Sequence, residues 1–160
     1  MDKISKRSDK LAFFGEDKVS TFTRMRGFTE FSMSKNPVEY SRRYIDEKTE
    51  RNDVVAYAPS ISYSFDRFAG DSVHDQLVDI ADNEKVGADA VRYIVIVDLS
   101  DEADQKSAYM REWTVIPDSE GDDTDAYTYS GSLKANGEIV AGTAVSDDNW
   151  QTITFTETDA

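Results

Sequence analysis

Few residues of this chain have the types and spacing that catalysis requires. Its 160 residues include no cysteine and a single histidine, His74. Without cysteine there is no disulfide, thiolate metal site or cysteine nucleophile. No serine near His74 lies in the sequence context of a nucleophile elbow or a triad. A structural or solvated role is therefore favoured for His74, and the sequence predicts no catalytic residue.

The densest group of potential ligands is an acidic segment, Asp118-Ser119-Glu120-Gly121-Asp122-Asp123-Thr124-Asp125. Its side-chain oxygens could hold a hard cation such as Ca²⁺. The segment lacks the spacing and the distal glutamate of an EF-hand, so a solvated loop is the favoured interpretation. The chain also has no glycine-rich phosphate loop and no zinc-ligand spacing. We therefore predict no bound metal and no cofactor.

Charge is spread unevenly along the chain, whose net charge is −14. Residues 1–53 hold 12 of the 18 Lys and Arg but 10 of the 32 Asp and Glu, so they carry +2 and residues 54–160 carry −16. So acidic a chain should not bind nucleic acid, because that affinity depends on cations that displace counterions from phosphates. The basic part could instead dock on the acidic part of an identical copy, or simply be solvated.

Apolar periodicity predicts a protein built mainly of strands. Alternation is clearest at Ile61, Tyr63 and Phe65. A β-branched run at 91–99 fits a strand buried on both faces, and one helix is predicted at 72–83, with Ser72 as its cap. The remaining predicted strands lie at 28–33, 108–116 (ended by Pro117), 127–133, 139–145 (after an Asn136-Gly137 hairpin turn) and 150–155.

In two segments the apolar residues follow neither a helix nor a strand period. Residues 1–20 are charged, with few apolar anchors, and are predicted to form an N-terminal arm. Residues 38–53 are predicted to be a long loop or an irregular hairpin, and long aperiodic segments in compact domains are usually functional or disordered. The predicted fold is mainly β: one domain over residues 1–160, a β-sandwich or partly closed barrel of about seven strands with one flanking helix.

Several sequence blocks, taken in order from about residue 28 to 156, resemble the major tail proteins (tail tube proteins) of bacteriophages that infect Gram-positive bacteria. The blocks are Asn36-Pro37, Tyr44-Ile45-Asp46-Glu47-Lys48-Thr49, Asp53-Val54-Val55, Ile61-Ser62-Tyr63-Ser64-Phe65-Asp66, Asp89-Ala90-Val91, Ile116-Pro117-Asp118-Ser119-Glu120-Gly121-Asp122, Tyr129-Ser130-Gly131 and Asp148-Asn149-Trp150-Gln151-Thr152. None is a catalytic signature, so the specificity of the resemblance comes from their order.

The resemblance implies a structural virion protein and no enzyme. It implies homohexameric rings, stacked into a hollow tail tube through which DNA leaves the virion without specific binding. The implied partners are further copies of the chain and other tail proteins, such as the tape measure and the tail terminator. The implied locations are the virion tail and, during assembly, the host cytoplasm. No membrane contact is expected, because no stretch approaches the ~20 apolar residues of a span.

A tube requires an interface that propagates from copy to copy, and the arm and the 38–53 segment are the parts best suited to reach a neighbour. The candidate inter-subunit contacts are Arg42, Arg43, Tyr44, Lys48 and Arg51. Two other classes of function stay open from the sequence. One is a soluble β-sandwich module that recognises carbohydrate or a cell surface through Trp113, Trp150 and the tyrosines. The other is a hydrolase with paired carboxylates.

Overall fold

A computed structural model of the chain describes residues 4–18, 21–121 and 124–158. Parts of the predicted arm (1–3 and 19–20) and of the acidic segment (122–123) lie outside the described residues. In chain order the described elements are β1 (Lys10–Gly15), β2 (Phe22–Arg24), β3 (Phe28–Ser34), β4 (Pro37–Arg42), β5 (Arg51–Tyr57), β6 (Ser60–Asp66), α1 (Ser72–Asp82), β7 (Val91–Asp98), β8 (Lys106–Glu120), β9 (Thr128–Ala135), β10 (Val140–Val145) and β11 (Thr152–Glu157).

Nine of these strands form one antiparallel sheet, in the order β10-β11-β2-β1-β7-β8-β9-β6-β3. Because β10 also pairs with β8, the first six strands close into a ring. Beyond the ring, the sheet continues through β9 and β6 to β3; we call β3, β6, β9 and residues 113–120 of β8 the wing sheet. The expected mainly β, partly closed barrel with one helix is confirmed, but with more strands than the seven predicted.

Two hydrophobic clusters hold this architecture together, one inside the ring and one where the wing sheet, the ring and α1 meet. The strand β7 contributes to both, because Val95 and Val97 belong to the first cluster while Ile94 belongs to the second. The prediction of a strand buried on both faces is therefore confirmed. The other buried members of the ring cluster are Phe13, Phe22, Ala108, Met110, Ala144 and Ile153.

The prediction of an N-terminal arm is wrong for residues 10–15. These residues form β1, which lies inside the sheet between β2 and β7. Successive side chains of a strand point to opposite faces, so Phe13 enters the ring cluster and Phe14 enters the second cluster, with exposed fractions of 0% and 2%. Six residues were too short a run to be recognised among the charged residues around them.

The predicted strand end at Pro117 and hairpin turn at Asn136-Gly137 are also wrong. The strand β8 continues through Pro117 to Glu120, and its register with β9 shifts between Pro117 and Ser119. A proline is tolerated at such a bulge on a strand edge. Asn136-Gly137 does not join paired strands, because β9 and β10 both pair with β8, along successive parts of its length.

The helix α1 forms where the sequence predicts it, but its cap is Asp71 rather than Ser72. The Asp71 carboxylate accepts hydrogen bonds from the backbone N–H groups of Val73 and His74 and forms a 3.1 Å ion pair with Arg26. Burial alone would raise the pKa of Asp71, yet these hydrogen bonds and the Arg26 charge hold it below its ordinary value. Asp71 is consequently ionised when it caps the helix.

The histidine is structural, as the sequence favoured. His74 is fully buried, and its ring stacks on Phe65 with a centroid distance of 4.5 Å. Its Nδ1 accepts a hydrogen bond from the Phe68 backbone N–H, so the proton is on Nε2, which donates to the Arg26 carbonyl oxygen at 2.6 Å. Nε2 thereby fastens the β2–β3 connection to α1, and Nδ1 fastens the β6–α1 connection.

We expect Asp71→Ala to lower the free energy of unfolding by about 1–2 kcal/mol, because α1 loses the acceptor of two backbone donors. Asp71→Asn keeps a cap oxygen but loses the charge, so its defect should be smaller. The native pKa of Asp71 lies below the unfolded value of about 3.9, so the charge stabilises the fold above that pH and the benefit is lost as pH falls through the native pKa. Chemical denaturation should therefore show the wild type and Asp71→Asn converging below about pH 4; a constant gap down to pH 2 would contradict this role.

Candidate assembly interface

The segment predicted as a long loop or irregular hairpin is an ordered β-hairpin. Among the described strands, β4 and β5 pair only with each other, from Pro37 opposite Tyr57 to Arg42 opposite Arg51, with a register shift after Val38. We call Pro37–Tyr57 the hairpin. Every residue of β5 and all but Arg42 of β4 are exposed. An isolated two-stranded hairpin is at best marginally stable in water, so this element is suited to contact another molecule.

The root of the hairpin is fixed by Asn36, which has a positive φ of 46°. Asparagine tolerates this left-handed conformation better than most residues. Its side-chain amide donates to the Ala58 carbonyl oxygen and to the Ser60 hydroxyl, each at 3.1 Å, and its own carbonyl accepts from the Ala58 N–H. The hairpin therefore leaves the wing sheet between β3 and β6 from a defined base.

Near the tip, Arg42 lies among aromatic and acidic side chains. Its guanidinium forms a 2.6 Å ion pair with Asp53 and donates from Nε to the Tyr44 hydroxyl at 2.7 Å. It also lies 4.8 Å from the centre of the Tyr40 ring, within cation–π range. The hydrogen bonds to Tyr44 and Asp53 raise the pKa of Arg42 above its ordinary value. Its Nη1 atom is nevertheless buried without a hydrogen-bond partner.

The structure brings together three of the five sequence-predicted contact residues. Arg42 and Arg51 both lie close to the Tyr44 ring, at 5.4 and 5.7 Å. Arg51 is held by a bidentate pair of hydrogen bonds to Glu47, at 2.8 and 2.9 Å. Arg43 and Lys48 are exposed beside this cluster and do not join it. Because Arg42 and Arg51 already have acidic partners within the hairpin, they are less available to a neighbour than the sequence suggested.

The apolar side chains of the hairpin were not among the contacts predicted from the sequence. Large apolar side chains are exposed along both strands, including Tyr40 at 55%, Val55 at 61% and Tyr57 at 60%. Val38, Tyr44, Ile45 and Val54 are exposed as well. Large apolar side chains exposed together on one projecting element often mark an interaction site. The signal was present in the sequence as the spacing of Val38 and Tyr40, but the surrounding charges concealed it.

The structure favours neither of the other two classes of function. Trp113 is 2% exposed and belongs to the core, while Trp150 is partly buried in a turn with a positive φ of 62°. Neither offers the open aromatic platform that a carbohydrate module needs. Where the pKa of an aspartate is shifted, hydrogen-bond donors lower it. The largest shift is at Asp148, whose pKa is lowered to about 2 by Thr152 and Ser146. A general acid needs a raised pKa.

The acidic segment contributes structure where it is described. The Tyr127 hydroxyl donates to Glu120 at 2.9 Å, and the Ser119 and Ser130 hydroxyls are 2.7 Å apart. Among residues 4–18, 21–121 and 124–158, no three His, Asp or Glu side chains are grouped closely enough to hold a metal ion. No helix in that part of the chain is long and apolar enough to cross a membrane.

The fold of this chain is similar to those of chains in an extracellular contractile injection system and in the anti-feeding prophage. The tube-terminating cap of the anti-feeding prophage matches over 90% of this chain and 94% of its own, with 12% identity and a TM-score of 0.53. The sheath/tube terminator of the extracellular contractile injection system PVC matches over 88% and 97%, with 12% identity and a TM-score of 0.52.

A chain of the anti-feeding prophage baseplate, determined with six-fold symmetry, is similar to the same degree. It matches over 88% of this chain and 97% of its own, with 9% identity and a TM-score of 0.53. At such identities the likeness establishes the fold alone. No protein-family model matches the sequence, and no curated protein does.

Proposed function

We propose that this chain is a structural subunit that assembles with copies of itself into rings of a phage tail tube, and that the stacked rings form a conduit for DNA. The observation that carries the proposal is the hairpin, an ordered element that exposes large apolar side chains on both strands and, within the described chain, makes few contacts outside itself. The fold, which occurs in tube-terminating and baseplate proteins of tail-like machines, supports the same assignment.

In this proposal the hairpin docks on a neighbouring copy. The contact would bury side chains such as Tyr40, Val54 and Tyr57. Arg43, Tyr44, Lys48 and Arg51 would lie at its rim, where charges affect association rates and specificity more than affinity. Because the net charge of the chain is −14, the wall of the assembled tube would present few cations to the phosphate backbone of passing DNA.

A second function is favoured by the matches to two terminators, namely a single ring that closes the end of a tube. The two functions differ in whether a finished ring can bind further rings of the same chain. A tube subunit continues to stack, whereas a terminator forms one ring and stops until it meets a tube. The tape measure and other tail proteins would be partners in either case.

Sedimentation velocity over a concentration series tests the proposal. We expect the 18.0 kDa chain to form much heavier species as its concentration rises. A continuous increase in size would indicate the tube subunit, and a plateau at a single ring mass would indicate the terminator. A chain that remains monomeric up to several hundred micromolar would contradict both functions.

A further inference from the structure

A groove lined by basic side chains runs along the outer edge of β3. It consists of two cavities of about 830 and 380 Å³ that share Arg7, Lys10 and Phe31 in their linings. Among the described residues, no acidic side chain lines either cavity. We call this surface the basic groove; its cationic residues are Lys6, Arg7, Lys10, Arg24, Arg26 and Lys35. A third of the Lys and Arg of a strongly acidic chain therefore converge on one groove.

The wall of the basic groove is an open strand edge. Among the described strands, β3 pairs only with β6. The Phe31 carbonyl oxygen accepts a hydrogen bond from Arg7 at 3.1 Å, so it faces away from β6 and into the groove. Because backbone groups two residues apart on a regularly paired strand point the same way, those of Met33 face the groove too. An extended segment could therefore bond to β3 while cations surround it.

The opposite margin of the wing sheet is acidic. Residues 116–120 of β8 pair with β9 and, among the described strands, with no other. We call these residues the acidic edge; all five are exposed, and Asp118 and Glu120 are among them. The sequence that follows is acidic as well. The acidic edge is thus the chemical complement of the basic groove.

The two surfaces cannot meet within one copy. The register places Phe31 opposite Tyr63, Tyr63 opposite Gly131 and Gly131 opposite Pro117. The margins are therefore three strand spacings apart, about 14 Å at 4.8 Å each. Each copy offers one groove and one edge, which is the arrangement of a head-to-tail interface that closes into rings or extends into filaments.

We propose that the basic groove binds the acidic edge of a second copy, laid in extended conformation alongside β3. This inference rests on the proposed function, for which it supplies the lateral contact that the hairpin alone does not define. Specificity comes from the opposite charges and affinity from the backbone hydrogen bonds of strand addition.

A charge-exchange experiment tests this contact. One variant reverses the groove with Lys10→Glu and Lys35→Glu, and the other reverses the edge with Asp118→Lys and Glu120→Lys; all four residues are exposed, so both variants should fold. Each variant alone should need at least about a tenfold higher concentration to assemble, because like charges would face each other. Mixed in equal amounts, the two should assemble at the wild-type concentration, since every groove then meets an edge of opposite charge. Lys134→Glu, an exposed change outside both surfaces, should assemble normally.

The outcomes separate this inference from the proposed function. If the wild type assembles and both variants do so equally well, the groove does not bind the edge and serves another acidic partner, while the ring function stands. If both folded variants stay monomeric and their mixture does too, the pairing of these two surfaces is overturned. Assembly that is lost in each variant by itself but recovered in their mixture supports the pairing of the basic groove with the acidic edge. A wild type that never assembles is instead a failure of the proposed function.

Discussion

The triple substitution Tyr40→Thr, Val54→Thr, Tyr57→Thr is expected to abolish self-assembly while leaving the monomer folded. The three side chains are exposed on the hairpin, so the isolated chain loses little packing. Threonine preserves the strand propensity of β4 and β5. Buried interface aromatics commonly contribute about 2 kcal/mol or more each. Two of them should raise the concentration needed for assembly by about a thousandfold, since 1.4 kcal/mol corresponds to a factor of ten.

Light scattering at matched concentrations measures this effect. The control is Val86→Thr with Ile139→Thr, which makes two other exposed apolar residues polar outside the hairpin and should leave assembly unchanged. If the triple variant assembles like the control, the hairpin stays exposed to solvent and does not form the interface between copies. Circular dichroism of both variants establishes that any loss of assembly is not a loss of fold.

The second large effect concerns β1. Phe13→Ala should lower the free energy of unfolding by about 3–5 kcal/mol, the usual cost of deleting a fully buried phenylalanine. For a chain of this size the melting temperature should fall by about 6–20 °C. Phe13 lies in the ring between β2 and β7, so its removal leaves a cavity in the ring cluster.

Ile4→Ala is the matched control, because Ile4 belongs to the same N-terminal segment but is 88% exposed. It should change the free energy of unfolding by less than about 0.5 kcal/mol. Deleting residues 1–15 should prevent folding altogether, since it removes a strand from the middle of the sheet. A stable, fully folded deletion variant would show that residues 10–15 form an arm, as the sequence suggested.

The strands that could be predicted from the sequence are those whose burial imposes a pattern of apolar residues along a short stretch of chain. Ile61, Tyr63 and Phe65 alternate strictly because one face of β6 is covered, and the β-branched run of β7 reflects burial on both faces. Four strands were not predicted as such: β1 and β2, and the hairpin strands β4 and β5, whose segment was predicted as a long loop or an irregular hairpin. The first two are short, and their burial depends on distant partners, which no local pattern records.

The hairpin was missed as a regular element for another reason. Both of its faces are exposed in the single chain, so no burial imposes an alternation of polar and apolar residues on β4 and β5. Candidate contacts were therefore chosen by charge, which identified the Arg42, Tyr44 and Arg51 cluster but not the apolar surface beside it. The sequence indicated that residues 1–53 are basic and could dock on an acidic part of another copy, but it did not locate the basic groove, because the groove's cations come from separate stretches between Lys6 and Lys35.

Electron microscopy of the purified chain, negatively stained above the concentration at which it assembles, tests the central claim most directly. We expect rings of six copies around an open channel, either single or stacked into tubes. We expect no rings on grids of the Tyr40→Thr, Val54→Thr, Tyr57→Thr variant. Uniform monomers at every concentration, or closed two-fold dimers without a channel, would contradict the central claim.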